Sequence, residues 1–531
     1  MTDERAKAAI PARRRRVGAA RMPILALLPA LAAAPMSGQE AGAAAPLDGL
    51  DEYVREAMEA WDVPGVALSV VKDGSVIYAR GFGVRRLGEP GTVDEHTLFA
   101  IGSSSKAFTA AALGVLVDEG KLSWDDRAWR VLPDLRLHDA YTTRELTVRD
   151  LVTHRSGLPR CDLLWYGSAL DRAEILRRVR HCEPESSFRS RFGYQNVMFL
   201  AAGAVVQATS GTSWDDFVEE RLFAPLGMAR SNTSIRALDA MENVASPHAE
   251  VEGEVTPISW RDIDNIAPAG SINSSVAEMA RWVLLHLNGG EIDGRRILSD
   301  STVAEMQTPQ MVIRQEGAWR RLNPDAHFLS YGLGWFLHDY RGRKVVEHGG
   351  AIDGMRAQVG MIPEEGIGVV VLTNKDGFAL GNPLMFRVFD ALLGAPEKDW
   401  AAEYLAVADS IEAEGEERRE KMREARVEDT RPSLALPEYA GTYADSLYGK
   451  ASVAQESGGL VLRFGPFVGD LEHWHYDTFR AVWRDGSAGP EGALATFALG
   501  ADGKVARVGI QGIADFRRVP EVSEEDAETP R

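Results

Sequence analysis

The chain has 531 residues, enough for two to four domains at about 100–200 residues each. Its 45 % apolar and 26 % charged composition, with 51 Gly and 25 Pro, excludes collagen-like and wholly disordered classes. A formal charge of −19 denies it the basic footprint of a nucleic-acid binder and sets it against anionic membrane surfaces, so neither partner is expected.

Residues 1–40 read as an export signal. Arg13 to Arg16 and Arg21 form a basic head, and residues 22–34 form an apolar run ending among small residues. Interrupted by Pro23 and Pro29, that run falls short of the ~20 residues a membrane helix needs. A cleaved signal and an exported protein, periplasmic or secreted, are therefore expected. Removing the segment takes away seven basic and three acidic residues, which leaves the remainder more acidic still.

A short helix is predicted from Asp51 to Trp61, followed by a hairpin: Val66 to Val71, an Asp73-Gly74 turn, then Ser75 to Tyr78. Residues 103–120 switch to helical periodicity and stop at Gly120. Helical patterns recur at Asp171 to Arg180, Val197 to Ala208, Trp214 to Phe223 and Ser275 to Leu287. Strand patterns return at Tyr331 to His338, Lys344 to Glu347, Arg356 to Met361 and Ile367 to Leu372. Strands at both ends with helices between predict an α+β domain over residues 47–395, built on one antiparallel sheet drawn from both ends. Residues 396–432 crowd charges onto a helix-forming stretch closed by Pro432 and read as a linker helix. Short strand-like runs at turn spacing over 433–520 predict a small antiparallel barrel or sandwich, and the acidic residues 521–531 a disordered tail.

The two cysteines, Cys161 and Cys182, share one polar stretch. They either pair, as an oxidising compartment permits, or stand as two small buried thiols.

Two Ser-x-x-Lys sequences compete for chemistry. Ser69 and Lys72 lie on a predicted strand, where positions i and i+3 face opposite ways. Ser103 and Lys106 open a predicted helix after Gly102, so the amine projects back over the hydroxyl and can take its proton. Tyr194-Gln195-Asn196 precedes another helical pattern, and His348-Gly349-Gly350 follows the strand Lys344 to Glu347. No dinucleotide, P-loop, HExxH or GxSxG pattern is present, and His473 and His475 lack further ligands at motif spacing. No cofactor or metal is expected.

The segment FAIGSSSKAFTAAALGVLVDEGKLSWDD, with YQN and HGG in that order, resembles the serine β-lactamase and penicillin-binding-protein superfamily over about residues 47–395. LVTHRSGLPR, LFAPLGM, APAGSINSS and YGLGW look familial too. The resemblance implies that Ser103 attacks a carbonyl to form an acyl-enzyme, that Lys106 is its base, and that Tyr194 relays the proton with a phenolate or an equivalent made accessible by Lys106. It implies that Asn196 orients Lys106 and donates to a substrate carbonyl, that His348 belongs to the catalytic set, and that the backbone N–H groups of Ser103 and Ala351 form an oxyanion hole. Asn196 as a mere helix cap and His348 as a packed strand histidine are the competing structural readings.

Where many relatives carry Lys-Thr-Gly, this chain has His348-Gly349-Gly350, without a permanent cation or hydroxyl for a substrate carboxylate, and with room at Gly349 for bulk along the strand. That version looks more like the D-aminopeptidase and esterase branches. The expected activity is therefore a peptidase on D-configured or short peptides, ahead of an esterase or amidase and, further back, a β-lactamase; a catalytically inactive ligand-binding relative is the reading from another class. The C-terminal stretch resembles the lipocalin-like β domain appended to some members.

Overall fold

A computed structural model describes residues 47–484 and 492–520. The export signal and the acidic tail expected from the sequence lie outside the described residues. Among the described residues, no helix is long and apolar enough to cross a membrane.

The catalytic-type body is built around an eight-stranded sheet whose neighbouring strands all run antiparallel. The hairpin Gly65–Lys72 and Ser75–Gly83 turns at Asp73 and Gly74, both at positive φ (48° and 79°), as a two-residue turn matched to strand twist requires. Its first strand pairs with Ile367–Thr373, so the early hairpin and the last strand of the body close one sheet, the α+β arrangement expected. Met355–Ile362, Arg343–Ile352 and Phe336–Tyr340 follow in order, and two short strands complete it.

Period-two alternation separates two cores. Val346, Ile352, Val359 and Leu372 face the helical side, while Val345, Val369 and Val371 face a layer containing Val54, Leu384, Phe389 and Trp400. On the helical side lie three long helices. Ser105–Asp118 is buried almost throughout, Asn196–Ser210 packs on it, and Val276–Leu287 starts from a Ser275 cap and lies against the sheet. The first helix follows a separate 3-10 turn, Gly102–Ser104, where the periodicity predicts helix from residue 103.

A 25-residue helix, Trp400–Glu424, occupies the charged stretch, anchored at its start by buried Trp400, Ala401 and Tyr404. Beyond it, eight antiparallel strands from Gly441–Asp445 to Ala514–Arg518 form a closed barrel, the first pairing with the last. These include Gly449–Glu456, Phe467–His475 and Ala514–Arg518. The barrel's turns rest on the body's loop after Cys161. Phe467 stacks with Tyr166 at 6.4 Å, Pro466 covers Gly167, and Leu447 accepts from Arg178 at 3.5 Å.

Candidate active site

The Ser69/Lys72 pair is ruled out by its strand. Ser69 Oγ donates to the Val276 carbonyl at 3.0 Å, while Lys72 reaches the Glu365 carbonyl at the hairpin's end.

The Ser103-Ser104-Ser105 run divides its labour. Ser105 Oγ donates to the Gly102 carbonyl at 2.7 Å and accepts from Ile272 N at 3.1 Å. Ser104 Oγ donates to the His348 carbonyl at 3.0 Å, fastening the turn to the sheet. Ser103 alone of the three is partly exposed, and its Oγ lies 3.1 Å from Lys106 Nζ. The Lys106 side chain is wholly buried, and its Nζ also donates to the Ala269 carbonyl at 2.7 Å. Burial, followed by the nearby Arg160 charge, drives its pKa well below the ordinary lysine value, so the free-amine form is accessible.

The turn and the strand meet without side chains between them. Gly102 has φ +49°, and a Cβ there would lie 2.5 Å from Ala351 N; a Cβ at Gly350 would lie 1.8 Å from the Ile101 carbonyl and 3.1 Å from Ser103 N. The amides of Ser103 and Ala351 thereby lie on closely adjoining backbone segments. The HGG sequence sits inside the strand Arg343–Ile352 instead of following it, so its residues alternate between faces. The space expected at Gly349 consequently opens toward Gln358 Oε1, 3.0 Å from a built Cβ, on the face away from Ser103. It offers no room for substrate.

His348 has the surroundings of the competing reading, a packed strand histidine. It is 1 % exposed; its Nδ1 lies 2.6 Å from the Gly349 carbonyl and its Nε2 2.9 Å from the Tyr331 hydroxyl. These partners assign Nδ1–H as donor and Nε2 as acceptor. Burial, reinforced by the charge of Lys106, takes its pKa down to about 3. A neutral ring with both nitrogens engaged positions the strand and makes no charged clamp.

Tyr194 is fixed by its neighbours in sequence. His154 accepts from Gln195 N at Nδ1 (3.0 Å) and from Gly193 N at its carbonyl (2.8 Å), and its ring lies 4.1 Å from the Tyr194 ring. Lys106 Nζ stands 4.9 Å from that ring's centroid. Burial raises the phenol's pKa well above its usual value, against a smaller lowering by its hydrogen bond with Ser103. Burial thus favours the neutral phenol, so of the two forms expected for Tyr194 the hydrogen-bonded phenol fits better than the phenolate.

Asn196 begins the helix, but the capping is done by Gln195, whose side chain accepts from Val197 N at 2.9 Å. Asn196 Nδ2 donates to Asp162 Oδ1 at 2.9 Å, and no hydrogen bond joins it to Lys106. The orienting role expected for it toward Lys106 falls to the Ala269 carbonyl. Cys161 and Cys182 are bonded to each other. Among the described residues no group of three or more His, Cys, Asp or Glu converges to hold a metal ion, and His473 and His475 are engaged with Tyr476 and Val427.

His154, Arg160, Asp162, Ala269 and Tyr331 join the site without having been assigned a role from sequence. All but Asp162 fall within the familial stretches LVTHRSGLPR, APAGSINSS and YGLGW.

A partly exposed serine within hydrogen-bonding distance of a desolvated amine, beside a tyrosine held as a neutral phenol, is the arrangement that acyl transfer by a serine hydrolase needs. On this α+β body it defines the β-lactamase and penicillin-binding-protein class. The β-lactamase family sequence model matches residues 50–388, and the chain belongs to that family. Residues 425–527 match a domain of unknown function, DUF3471. The chain is 29 % identical over 435 residues to unguisins hydrolase ungD of Aspergillus violaceofuscus, covering 76 % of each. It is 30 % identical over 326 residues to penicillin-binding protein 4 of Amycolatopsis lactamdurans, covering 59 % of this chain and 81 % of the relative. The octameric penicillin-binding protein homologue from Pyrococcus abyssi superposes with TM-score 0.60 at 24 % identity, over 89 % of this chain and all of that one, a likeness of fold.

Proposed function

We propose that the protein is an exported serine hydrolase that works through an acyl-enzyme on Ser103 and acts on D-configured or short peptides. The observation that carries the reading is the buried Lys106 amine 3.1 Å from the accessible Ser103 hydroxyl. Lys106 as free amine takes the Ser103 proton as Oγ attacks the substrate carbonyl, and the oxyanion forms against the amides of Ser103 and Ala351. Tyr194, a phenol beside Ser103, passes a proton to the departing amine, and Lys106 resupplies it. Water then repeats the attack on the acyl-enzyme.

Two features favour peptides over penicillins. His348 is neutral and sealed, so the strand supplies no fixed cation for the substrate carboxylate that a Lys-Thr-Gly strand would hold. Unguisins hydrolase ungD, whose match covers 76 % of this chain, is named a hydrolase of unguisins, not a β-lactamase. Export is supported by the Cys161–Cys182 bond, which belongs to an oxidising compartment.

The test is a screen of wild-type and Ser103→Ala proteins over D-aminoacyl amides, short peptides, short-chain esters and a chromogenic cephalosporin. Peptide or amide turnover should lead and vanish in Ser103→Ala. Cephalosporin hydrolysis far ahead of every amide and ester would overturn the substrate class, and full activity in Ser103→Ala would overturn the mechanism.

A further inference from the structure

We propose that Arg160 and Asp162, pinned on either side of Cys161 by the Cys161–Cys182 disulfide, form a clamp that positions the Tyr194–Asn196 edge of the site. The inference rests on the serine-hydrolase reading above and extends it to residues that touch neither Ser103 nor the scissile bond.

Four contacts define the clamp. The Arg160 guanidinium lies 5.0 Å from the centroid of the Tyr194 ring. Its Nε donates to Asp162 Oδ2 at 2.6 Å. The other carboxylate oxygen, Asp162 Oδ1, accepts from Asn196 Nδ2 and from Trp165 Nε1, both at 2.9 Å. One ion pair thus joins the residue over Tyr194 to the residue holding Asn196, and the intervening Tyr194-Gln195-Asn196 backbone is fixed from the far side by His154.

The ion pair cannot hold that geometry by itself. The Arg160 side chain is 59 % exposed, and a pair with one partner so well hydrated has little holding power. The covalent anchor sits between the two residues. Cys161 takes a left-handed backbone (φ 48°) between the two residues, and its sulfur is bonded to Cys182, fully buried just after the turn Val179–His181. A crosslink at that point restrains Arg160 and Asp162 together.

The clamp also brings opposite charges toward Lys106. The groups around that amine are Arg160 and Asp162 from this loop, His154 and Tyr194 from the segments beside it, and His348 and Tyr331 from the sheet. The histidines and tyrosines are held neutral, so among these groups the fixed charges are those of the clamp. Arg160 opposes a proton on Lys106 and Asp162 favours one.

This gives a signature that loss of packing does not produce. In Arg160→Met, the ascending limb of kcat/KM against pH should move to higher pH, because the cation is gone and Asp162 is left unbalanced. In Asp162→Asn it should move to lower pH, with kcat also falling about tenfold as Asn196 loses its anchor. Arg160→Lys should return the limb toward the wild-type position. The double variant Cys161→Ser/Cys182→Ser should lower kcat about tenfold with a smaller change in KM. Thermal melts identify the folded variants, and if the cysteine variant does not fold, the two point variants decide. Limbs that stay put, or move the same way, in folded Arg160→Met and Asp162→Asn overturn the clamp; unchanged kcat in a folded cysteine variant overturns the disulfide's part in it. Fluorophosphonate labelling of wild-type Ser103 separates the two readings: labelling with unmoved limbs refutes the clamp alone, and absent labelling refutes the acyl-enzyme reading beneath it.

Discussion

Adding a single methyl group to the HGG strand should stop the enzyme at one position and hardly touch it at the next. A Cβ at Gly350 would fall 1.8 Å from the backbone oxygen of Ile101, where ordinary van der Waals contact begins near 3.4 Å. Backbone cannot swing aside as a side chain can, so strand and nucleophile turn must part by more than 1 Å. That displacement acts on the junction that places the amides of Ser103 and Ala351. A misplacement of ~1 Å costs about 10²-fold, and loss of one oxyanion donor about 10²–10³-fold, or roughly 2.7–4 kcal/mol of transition-state stabilisation. Overpacking should cost a further ~1–3 kcal/mol of fold stability. At Gly349 the built Cβ meets only the end of the Gln358 side chain, at 3.0 Å and on the opposite face. Gly350→Ala should therefore lower kcat/KM at least ~100-fold, while Gly349→Ala stays within about threefold of wild type. The assay is hydrolysis of the best substrate from the screen, beside a thermal melt showing both variants folded. Equal activities for the two variants would refute the argument.

Other outcomes follow from the same geometry. Lys106→Arg should lose nearly all turnover, because a guanidinium cannot serve as base; in the wild type, kcat/KM should rise with pH through a limb lying well below the ordinary lysine value, since the active form is the deprotonated amine. That limb should survive in His348→Asn, because His348, with a pKa near 3, stays neutral throughout the working range. Asp150 is fully buried and accepts from Arg155 (2.6 Å), from Arg189 (2.6 Å) and from the Thr147 N–H and hydroxyl; Asp150→Ala should cost about 3–5 kcal/mol in denaturant unfolding. Burial pushes that carboxyl's pKa up, but the Arg189 hydrogen bond and the Arg155 charge outweigh it, so the folded value is lowered. Its contribution is complete above the unfolded value of ~3.9 and disappears as pH falls through the lowered folded value, where variant and wild type should converge. Phe467→Ala, which strips the barrel's contact from Tyr166, should leave Ser103 labelling intact and raise kcat/KM for bulkier acyl groups; loss of labelling would show that the barrel is needed for the chemistry itself.

Much of this arrangement was legible because it rests on local patterns. The Asp73-Gly74 turn, the Ala-rich periodicity after residue 103 and the Ser275 cap each announce their element. The strand argument against Ser69 and Lys72 needed only the period of two. What stayed hidden was carried by backbone or by distant pairing. Ala269 holds Lys106 through a carbonyl, and any residue type has one. Asp162 meets Asn196 across 34 positions, so no spacing reveals the pair. The error at Gly349 had a simpler origin: ending the strand at Glu347 concealed the alternation that sends Gly349 to one face and Gly350 to the other. The seal on His348 is equally hidden, because it is Tyr331, which the sequence marks only as part of a familial stretch.

The proposed chemistry depends on Ser103 as the nucleophile and Lys106 as its base. Peptide mass spectrometry after timed exposure to a fluorophosphonate tests it most directly, with wild type, Ser103→Ala and Lys106→Met run in parallel. The wild type should carry a single adduct on Ser103 and Ser103→Ala none, and labelling should slow by about 10²-fold or more in Lys106→Met. An adduct on another serine, or undiminished labelling in Lys106→Met, would contradict this chemistry.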